Sequence, residues 1–228
     1  MISHLALKGP YSTPYIRTSF NSNRRPLVTR LIRFTAALLL TGFLLPAVAS
    51  AEILSTEEAL SDRIMGDPEA SVTIIEYASL TCPHCAKFHA QTLPKIKEDW
   101  IETGKVKMIY RDFPLDKYAA SASMIARCAP KDKYFTFLNA FYAQQKNWSR
   151  AADPIKVLTQ LAGLGGMSKE DVDACLANEA LQDGILQMRL EGQMQYEVNS
   201  TPSIIINGKK ITNLPYADIT DLLEDATK

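Results

Sequence analysis

The feature that most constrains this chain is the motif Cys-Pro-His-Cys at positions 82–85, between a predicted strand and a predicted helix. The strand is the apolar, β-branched stretch 71–80, whose composition is typical of a buried central strand. Thr81 or Cys82 can cap the helix, and Pro83 suits its first turn, where no amide donor is needed. The fold must therefore bring a buried strand directly into a helix, with two sulfur atoms at the junction.

The segment after the motif has the spacing of one helix face, because residues suited to a buried face recur every three or four positions. These residues are His89, Leu93, Ile96 and Trp100. Pro94 lies in the same stretch and has no backbone N–H, so it should kink the helix or split it. We interpret His89 as a packed, hydrogen-bonded residue rather than as a ligand.

The rest of the chain alternates between sheet and helix patterns. A second strand is predicted at 105–114, a hairpin with a type I′ turn at Asn207-Gly208, and a last helix at 215–226. Between them the pattern is helical, with predicted helices at 117–128, 131–146, 153–163, 168–177 and 180–196. The aromatic stretch 134–142 is interpreted as core rather than as a substrate site. This order predicts an α/β fold with one sheet and an inserted helical block.

Residues 1–51 have the composition of a secretory signal peptide, with six basic side chains, no acidic ones and an apolar run before small residues. Cleavage is predicted before Glu52; a cut after Ala49 and an uncleaved anchor are the alternatives. We therefore expect a periplasmic protein. The remaining chain has 19 of the 25 basic residues against all 25 acidic ones, a net charge near −6. That charge argues against nucleic acid as a partner.

The position of Cys82 at a helix start predicts a reactive thiol. Unpaired backbone amides and the positive end of the helix dipole lower a thiol pKa, and His84 can add a hydrogen bond or a positive charge. Cys85 is one helical turn further on, within disulfide reach, so it can act as the resolving thiol. A zinc site needs two more ligands, and a purely structural bridge across three residues stabilises little. We expect no metal and no cofactor.

The strand, the CPHC motif that opens a helix, the helical block and Thr201-Pro202 before the hairpin together resemble the thioredoxin-fold disulfide oxidoreductases of the DsbA type. The resemblance extends from about Gly66 to the last helix. It implies a thioredoxin fold with an inserted all-helical domain. The implied boundaries are 52–115 for the first part of the thioredoxin core, 116–196 for the helical insertion and 197–228 for the rest of the core.

The resemblance implies roles for three residues around the motif. Cys82 would be the exposed nucleophile, and Cys85 would be the buried resolving thiol. Glu76, on the central strand, matches the buried acid of the family, which could relay the proton of Cys85. The alternative for Glu76 is an edge-facing strand residue without a catalytic role.

The resemblance also bears on the direction of the reaction. The dipeptide Pro83-His84 is typical of the oxidase branch. Thr201-Pro202 matches the cis-proline loop that faces the disulfide and pairs with the substrate backbone. Thr201 departs from the pattern, since the best-known oxidases have valine there and the isomerase branch often has threonine.

Cys128 and Cys175 form a second pair of cysteines within the helical block. Bonded, they would close 47 residues and stabilise the fold by about 4 kcal/mol on the chain-entropy model. The alternative is two buried free thiols that pack as small apolar residues. We predict a structural disulfide, because free thiols are at risk in an oxidising compartment.

These observations predict a thiol oxidase that passes its Cys82–Cys85 disulfide to unfolded or partly folded, cysteine-containing exported proteins. The resemblance implies reoxidation by a quinone-linked membrane partner resembling DsbB, and a monomer, since the chain has nothing like the dimerisation domain of the isomerases. One alternative is a reductase or isomerase with the same fold. Another is a non-catalytic metal- or peptide-binding module.

Overall fold

The computed structural model describes residues 53–212 and 215–228 of the 228-residue chain. The predicted signal peptide at 1–51 lies outside these residues. The described part contains a five-stranded sheet made of β1 (Arg63–Met65), β2 (Val72–Ala78), β3 (Val106–Asp112), β4 (Ser203–Ile206) and β5 (Lys209–Thr212). The spatial order of the strands is β1-β3-β2-β4-β5.

Helices account for most of the remaining described chain. They are α1 (Thr56–Leu60), α2 (Pro83–Gln91), α3 (Leu93–Ile96), α4 (Lys117–Cys128), α5 (Tyr134–Ala143), α6 (Gln145–Trp148), α7 (Pro154–Leu164), α8 (Lys169–Leu176), α9 (Glu179–Tyr196) and α10 (Tyr216–Ala226). The segment between β3 and β4 is helical and contributes no strand to the described sheet. The architecture is therefore the predicted one, a thioredoxin-type sheet with a helical insertion.

The strand β2 is central, as the sequence predicts. It pairs with β3 in parallel on one side and with β4 in antiparallel on the other. Glu76 lies within β2, opposite Tyr110 of β3 and Ile204 of β4, and its side chain is completely buried. The alternative of an edge-facing glutamate is therefore wrong, since both neighbouring strands cover this position.

The helix after the motif is split, as Pro94 predicts. α2 ends at Gln91, and α3 follows after Thr92 with Pro94 in its first turn. A π-helical turn at Lys97–Ile101 then extends α3. Proline is tolerated in the first turn of a helix, where its missing N–H has no partner to lose, so a new helix begins just before it.

Two parts of the secondary structure differ from the prediction. The helix predicted at 131–146 is a 3₁₀ turn at Lys131–Lys133, then α5, then α6 after Gln144. The short elements α1 and β1 were not predicted. β1 has only three residues and pairs antiparallel with β3, so its formation depends on a distant strand rather than on its own periodicity.

The predicted hairpin joins β4 to β5. Asn207 and Gly208 have φ values of 46° and 82°, and positive φ at both central residues is the requirement of a type I′ turn. The hairpin places Thr201-Pro202, just before β4, beside the end of β2. Within residues 53–212 and 215–228, no helix has the length and apolar character needed to cross a membrane.

Candidate active site

Cys82 is the N-cap residue of α2. Its sulfur accepts a hydrogen bond from the backbone N–H of Cys85, with an N···Sγ distance of 3.4 Å. Its thiol donates to the carbonyl oxygen of Thr201 at 3.3 Å. The sulfur thus occupies the place where a serine or aspartate usually caps a helix, next to amides that have no partner within the helix.

The surroundings lower the pKa of the Cys82 thiol to about 5. The largest cause is a hydrogen bond from the Cys85 side chain, and burial acts in the opposite direction. The Thr201 side chain and the backbone amides of Cys85 and His84 lower the pKa further. Because the pKa lies about two units below neutral pH, Cys82 is mainly a thiolate at neutral pH. Its donation to the Thr201 carbonyl belongs to the protonated thiol.

Of the two residues between the cysteines, His84 acts on Cys82 through its backbone. His84 stabilises the Cys82 sulfur with its amide, while its side chain is exposed, so the predicted contribution of the imidazole is replaced by that of the backbone. Pro83 occupies the first helical turn and is also exposed. The geometry of a helix start explains this, since first-turn amides point back toward the cap while the side chains point outward.

Cys85 is the fully buried member of the pair, with 0% of its surface exposed. Burial raises the pKa of its thiol strongly, and the hydrogen bond to Cys82 and the charge of Glu76 raise it further. Cys82 is the more accessible thiol, but only 5% of its surface is exposed. The expected exposed nucleophile is therefore recessed, because the Thr201 backbone lies against its sulfur.

The peptide bond between Thr201 and Pro202 is cis, as the resemblance implies. The Thr201 hydroxyl is buried and has no hydrogen-bond partner within the described part of the chain, and Thr201 contacts the Cys82 sulfur through its backbone carbonyl. The loop before β4 therefore contacts the motif through a backbone carbonyl.

Behind the two cysteines lies a buried acid–base pair. The Nε2 atom of His89 is 2.9 Å and 3.2 Å from the two carboxylate oxygens of Glu76. The His89 ring also stacks on Tyr142, with ring centroids 4.2 Å apart. His89 is thus the packed, hydrogen-bonded residue that was predicted, and Glu76 is its partner. The pairing could have been anticipated in part, since His89 lies one turn after the buried Cys85 on the same face of α2.

A family comparison agrees with this geometry. The family model for thioredoxin matches residues 58–225. The crystal structure of Wolbachia pipientis alpha-DsbA1 superposes with a TM-score of 0.68 at 29% sequence identity, covering 76% of this chain and 96% of that one. The chain is a DsbA-type member of the thioredoxin family.

Other relatives of this DsbA-type chain have names that concern disulfide chemistry. A Rickettsia typhi protein described as a protein-disulfide oxidoreductase is 30% identical over 173 residues, which are 74% of this chain and 64% of that protein. The chain spans a little under two thirds of the length of such Rickettsia relatives. Oxidised BdbD from Bacillus subtilis, 22% identical with a TM-score of 0.66 over 78% of this chain and 97% of that one, shares the fold.

The helical insertion of this DsbA-type chain contributes a residue that the sequence analysis missed. The buried side chain of Gln145 donates through Nε2 to the backbone carbonyls of Leu80 and Cys82, at 2.8 Å and 2.9 Å. It therefore fixes the loop that carries the nucleophile. No local signal could have revealed it, because its partners lie more than 60 positions away and glutamine is common on helix surfaces.

The second pair of cysteines is bonded, as predicted. Cys128 at the end of α4 forms a disulfide with Cys175 of α8, and both residues are buried within the helical insertion. Within residues 53–212 and 215–228, no three side chains of His, Cys, Asp or Glu are grouped so that they could hold a metal ion.

Proposed function

We propose that this protein donates disulfide bonds, using the Cys82–Cys85 disulfide as the oxidant. The observation that carries the proposal is the difference between the two sulfurs. The pKa of the Cys82 thiol is lowered to about 5, and that of the buried Cys85 thiol is raised. A stabilised thiolate stabilises the reduced protein, which makes the disulfide form the stronger oxidant.

The size of this effect can be estimated from the pKa of Cys82. A thiol with a pKa near 5 gains about 2.7 kcal/mol at pH 7 over one that remains protonated. At about 30 mV for each 1.4 kcal/mol, the potential rises by roughly 60 mV. That shift is about two fifths of the roughly 150 mV between the potentials of thioredoxin and DsbA.

The reaction proceeds in two exchange steps. A client thiolate attacks Cys82 Sγ, the Cys82–Cys85 bond breaks, and Cys85 leaves as a thiolate. A second client thiolate then attacks the client sulfur of this mixed disulfide, and Cys82 leaves as a thiolate. The client loses two electrons and gains a disulfide, and the protein gains two electrons as a dithiol. The low pKa of Cys82 favours the second step, because a stable thiolate is a good leaving group.

The pair Glu76–His89 has a role in the first of these steps. Cys85 is fully buried, so its thiolate needs a nearby proton when the disulfide opens. Glu76 is close enough to raise the pKa of Cys85, and it is hydrogen-bonded to His89. We therefore assign the pair to the transfer of that proton, with the same atoms removing it when the protein is reoxidised.

The cellular setting is proposed from the sequence. We place the protein in the periplasm, with unfolded or partly folded cysteine-containing exported proteins as clients. A quinone-linked membrane oxidase resembling DsbB would take the two electrons from the dithiol. The protein would act as a monomer and would not bind nucleic acid.

A second direction of exchange is supported by Thr201. Its backbone carbonyl contacts the Cys82 sulfur, and it stands at a position where the best-known oxidases have valine and the isomerase branch often has threonine. A reductase or isomerase with this site would break or rearrange client disulfides through the same Cys82 mixed disulfide, run from the dithiol form.

Two assays separate these directions. The oxidised protein should convert a reduced, unfolded client to its disulfide form in stoichiometric amount, and the dithiol protein should be a poor catalyst of insulin reduction. Efficient insulin reduction together with rescue of a scrambled client would favour the reductase or isomerase and contradict the proposed oxidase.

A further inference from the structure

A groove runs away from the active site between two helical walls. One wall is α2, α3 and the π-helical turn, and the other is α5 with α6. The groove has a volume of about 1100 Å³. Its lining includes Pro83 of the motif and Gln145, which holds the Cys82 carbonyl. The groove therefore begins at the residue after the nucleophile, and Cys82 itself is not part of its lining. A polypeptide held at Cys82 has one residue to cross before it enters the groove.

The charged side chains that line the groove are all of one sign. Lys87, Lys97 and Lys146 line it, and its described lining includes no aspartate or glutamate. Lys97 is paired with Glu102 at 3.3 Å. Lys87 and Lys146 have no ion-pair partner among the residues that the structure describes. Acidic residues outnumber basic ones by 25 to 19 after position 51, so this local excess of positive charge contrasts with the rest of the chain.

The floor of the groove offers apolar contact. Phe135 and Met65 are partly exposed in it, and Leu93 and Tyr142 lie beneath. His89 is also part of the lining, and its Nδ1 atom is buried without a hydrogen-bond partner in the described chain. An apolar or aromatic side chain fits such a floor, with the lysines placed around it at the rim.

The length of the groove corresponds to a short peptide. From Pro83 to Lys97 the helical wall rises by roughly 20 Å, at about 1.5 Å per residue. An extended chain covers that distance with about six residues, at roughly 3.3 Å each. The volume is also at or above the upper end of the range usual for small-molecule sites, about 1,000 Å³.

We propose that this groove binds an acidic segment of the client polypeptide, with at least one aromatic or aliphatic side chain, while a cysteine of the same client reacts at Cys82. The inference rests on the proposed function for the reaction at Cys82, but the binding itself needs no redox step. Charge complementarity selects the segment: two lysines without partners and a third at the rim favour carboxylates in a groove that carries none of its own.

The test compares peptides that differ in charge. Each contains one cysteine and one phenylalanine, with either a run of glutamates or a run of glutamines on one side of the cysteine; both sides are tried. The rate of mixed-disulfide formation with the oxidised protein is measured by stopped flow. We expect the acidic peptide to react about tenfold faster than the neutral one at low salt, and the difference to disappear at roughly 0.5 M salt.

The variant Lys87→Glu/Lys146→Glu should abolish or reverse this preference, and Lys87→Gln/Lys146→Gln should abolish it with a smaller change of charge. The matched control is Lys156→Glu/Lys209→Glu, which reverses two exposed lysines outside the groove lining and should keep the preference. The rate with the neutral peptide is measured for every protein, and the preference is the ratio of the acidic to the neutral rate, which separates the effect of peptide charge from any general change in reactivity.

Binding without chemistry is measured with the same peptides carrying serine in place of cysteine, by fluorescence anisotropy. If the acidic serine peptide binds no better than the neutral one, or if the control variant loses the preference as fully as the groove variants, the proposal is overturned. Failure of every peptide to form a mixed disulfide, with anisotropy still favouring the acidic one, would contradict the proposed function and leave the groove assignment standing.

Discussion

Both cysteine pairs of this chain can form a disulfide, but they differ in sequence separation and in the polar groups around their sulfur atoms. Cys82 and Cys85 are three positions apart at a helix start, and both are free thiols. Cys128 and Cys175 are 47 positions apart on two helices of the insertion, and they are bonded to each other. All four cysteines belong to one apolar core cluster, but only Cys82 has hydrogen bonds around its sulfur that lower the pKa of the thiol.

This difference explains what each pair can do. A disulfide that closes 47 residues restricts the unfolded chain strongly, whereas one that closes three residues restricts it little. The equilibrium between the Cys82–Cys85 disulfide and the dithiol is therefore determined mainly by local electrostatics. These favour the reduced form, in which Cys82 is a thiolate. We conclude that the function of a cysteine pair here follows from loop length and from the groups around the sulfur atoms.

The largest effect should come from the nucleophile. Cys82→Ser is expected to reduce client oxidation to the uncatalysed background, because the variant cannot form the Cys82–Cys85 disulfide that a client thiolate attacks. Cys85→Ser cannot form the redox disulfide, but its Cys82 thiolate should attack a client that already carries a disulfide, releasing one client thiolate. The mixed disulfide should then be stable, since the resolving thiol is missing; non-reducing gels and mass spectrometry detect it. Retention of full activity by both variants would instead support a non-catalytic binding module.

The second pair should affect stability without affecting chemistry. Replacing both residues in Cys128→Ala/Cys175→Ala is expected to lower the free energy of unfolding by about 4 kcal/mol on the chain-entropy model. Denaturant unfolding of the oxidised protein measures this loss. Under conditions in which the variant is folded, its client oxidation rate and the pKa of Cys82 should match those of the parent. A changed pKa would mean that the two pairs are coupled.

Replacing the buried Glu76 should slow client oxidation less than replacing Cys82 does, and more than replacing an exposed acid does. Glu76→Gln is expected to slow the opening of the Cys82–Cys85 disulfide by a client thiolate about a hundredfold at pH 7, since general acid–base transfer contributes at least that much. The same variant should lower the pKa of Cys85, because the carboxylate charge raises it. Rapid-quench alkylation follows both quantities. Glu98→Gln, an exposed acid on the π-helical turn, is the matched control and should change neither.

The last prediction concerns how the stability of the reduced protein depends on pH. The pKa of Cys82 falls from about 8.5 in an unfolded chain to about 5 in the fold. The reduced protein should therefore gain stability as the pH rises from about 5 to about 8.5, and that gain should be absent below about pH 5. Thiolate absorbance gives the midpoint, and Cys82→Ser should show neither the titration nor this part of the stability profile. A midpoint near pH 8 would contradict the assigned contacts.

Features encoded in adjacent residues could be predicted from the sequence. The central strand, the helix cap at Cys82, the split at Pro94 and the turn at Asn207-Gly208 each depend on a few neighbouring side chains. The cis bond at residues 201–202 was predicted from the family pattern, because spacing alone does not determine it.

Features that depend on distant contacts were not predictable in the same way. Gln145 reaches the motif across more than 60 positions, and the strand β1 forms only because β3 is present. The aromatic stretch 134–142 was interpreted as core, and most of it is; Phe135, however, is partly exposed and lines the groove. The residue pattern of one helix cannot show which part of its apolar face remains uncovered by neighbouring helices.

The central claim is that the surroundings of Cys82 make its disulfide a strong oxidant. A glutathione redox titration of the purified protein, following the state of Cys82 and Cys85, tests it most directly. A midpoint near about −120 mV would place the protein with the DsbA-type oxidases, as the account predicts. A midpoint near about −270 mV, the range of thioredoxin, would contradict the oxidase assignment and leave the fold unchanged.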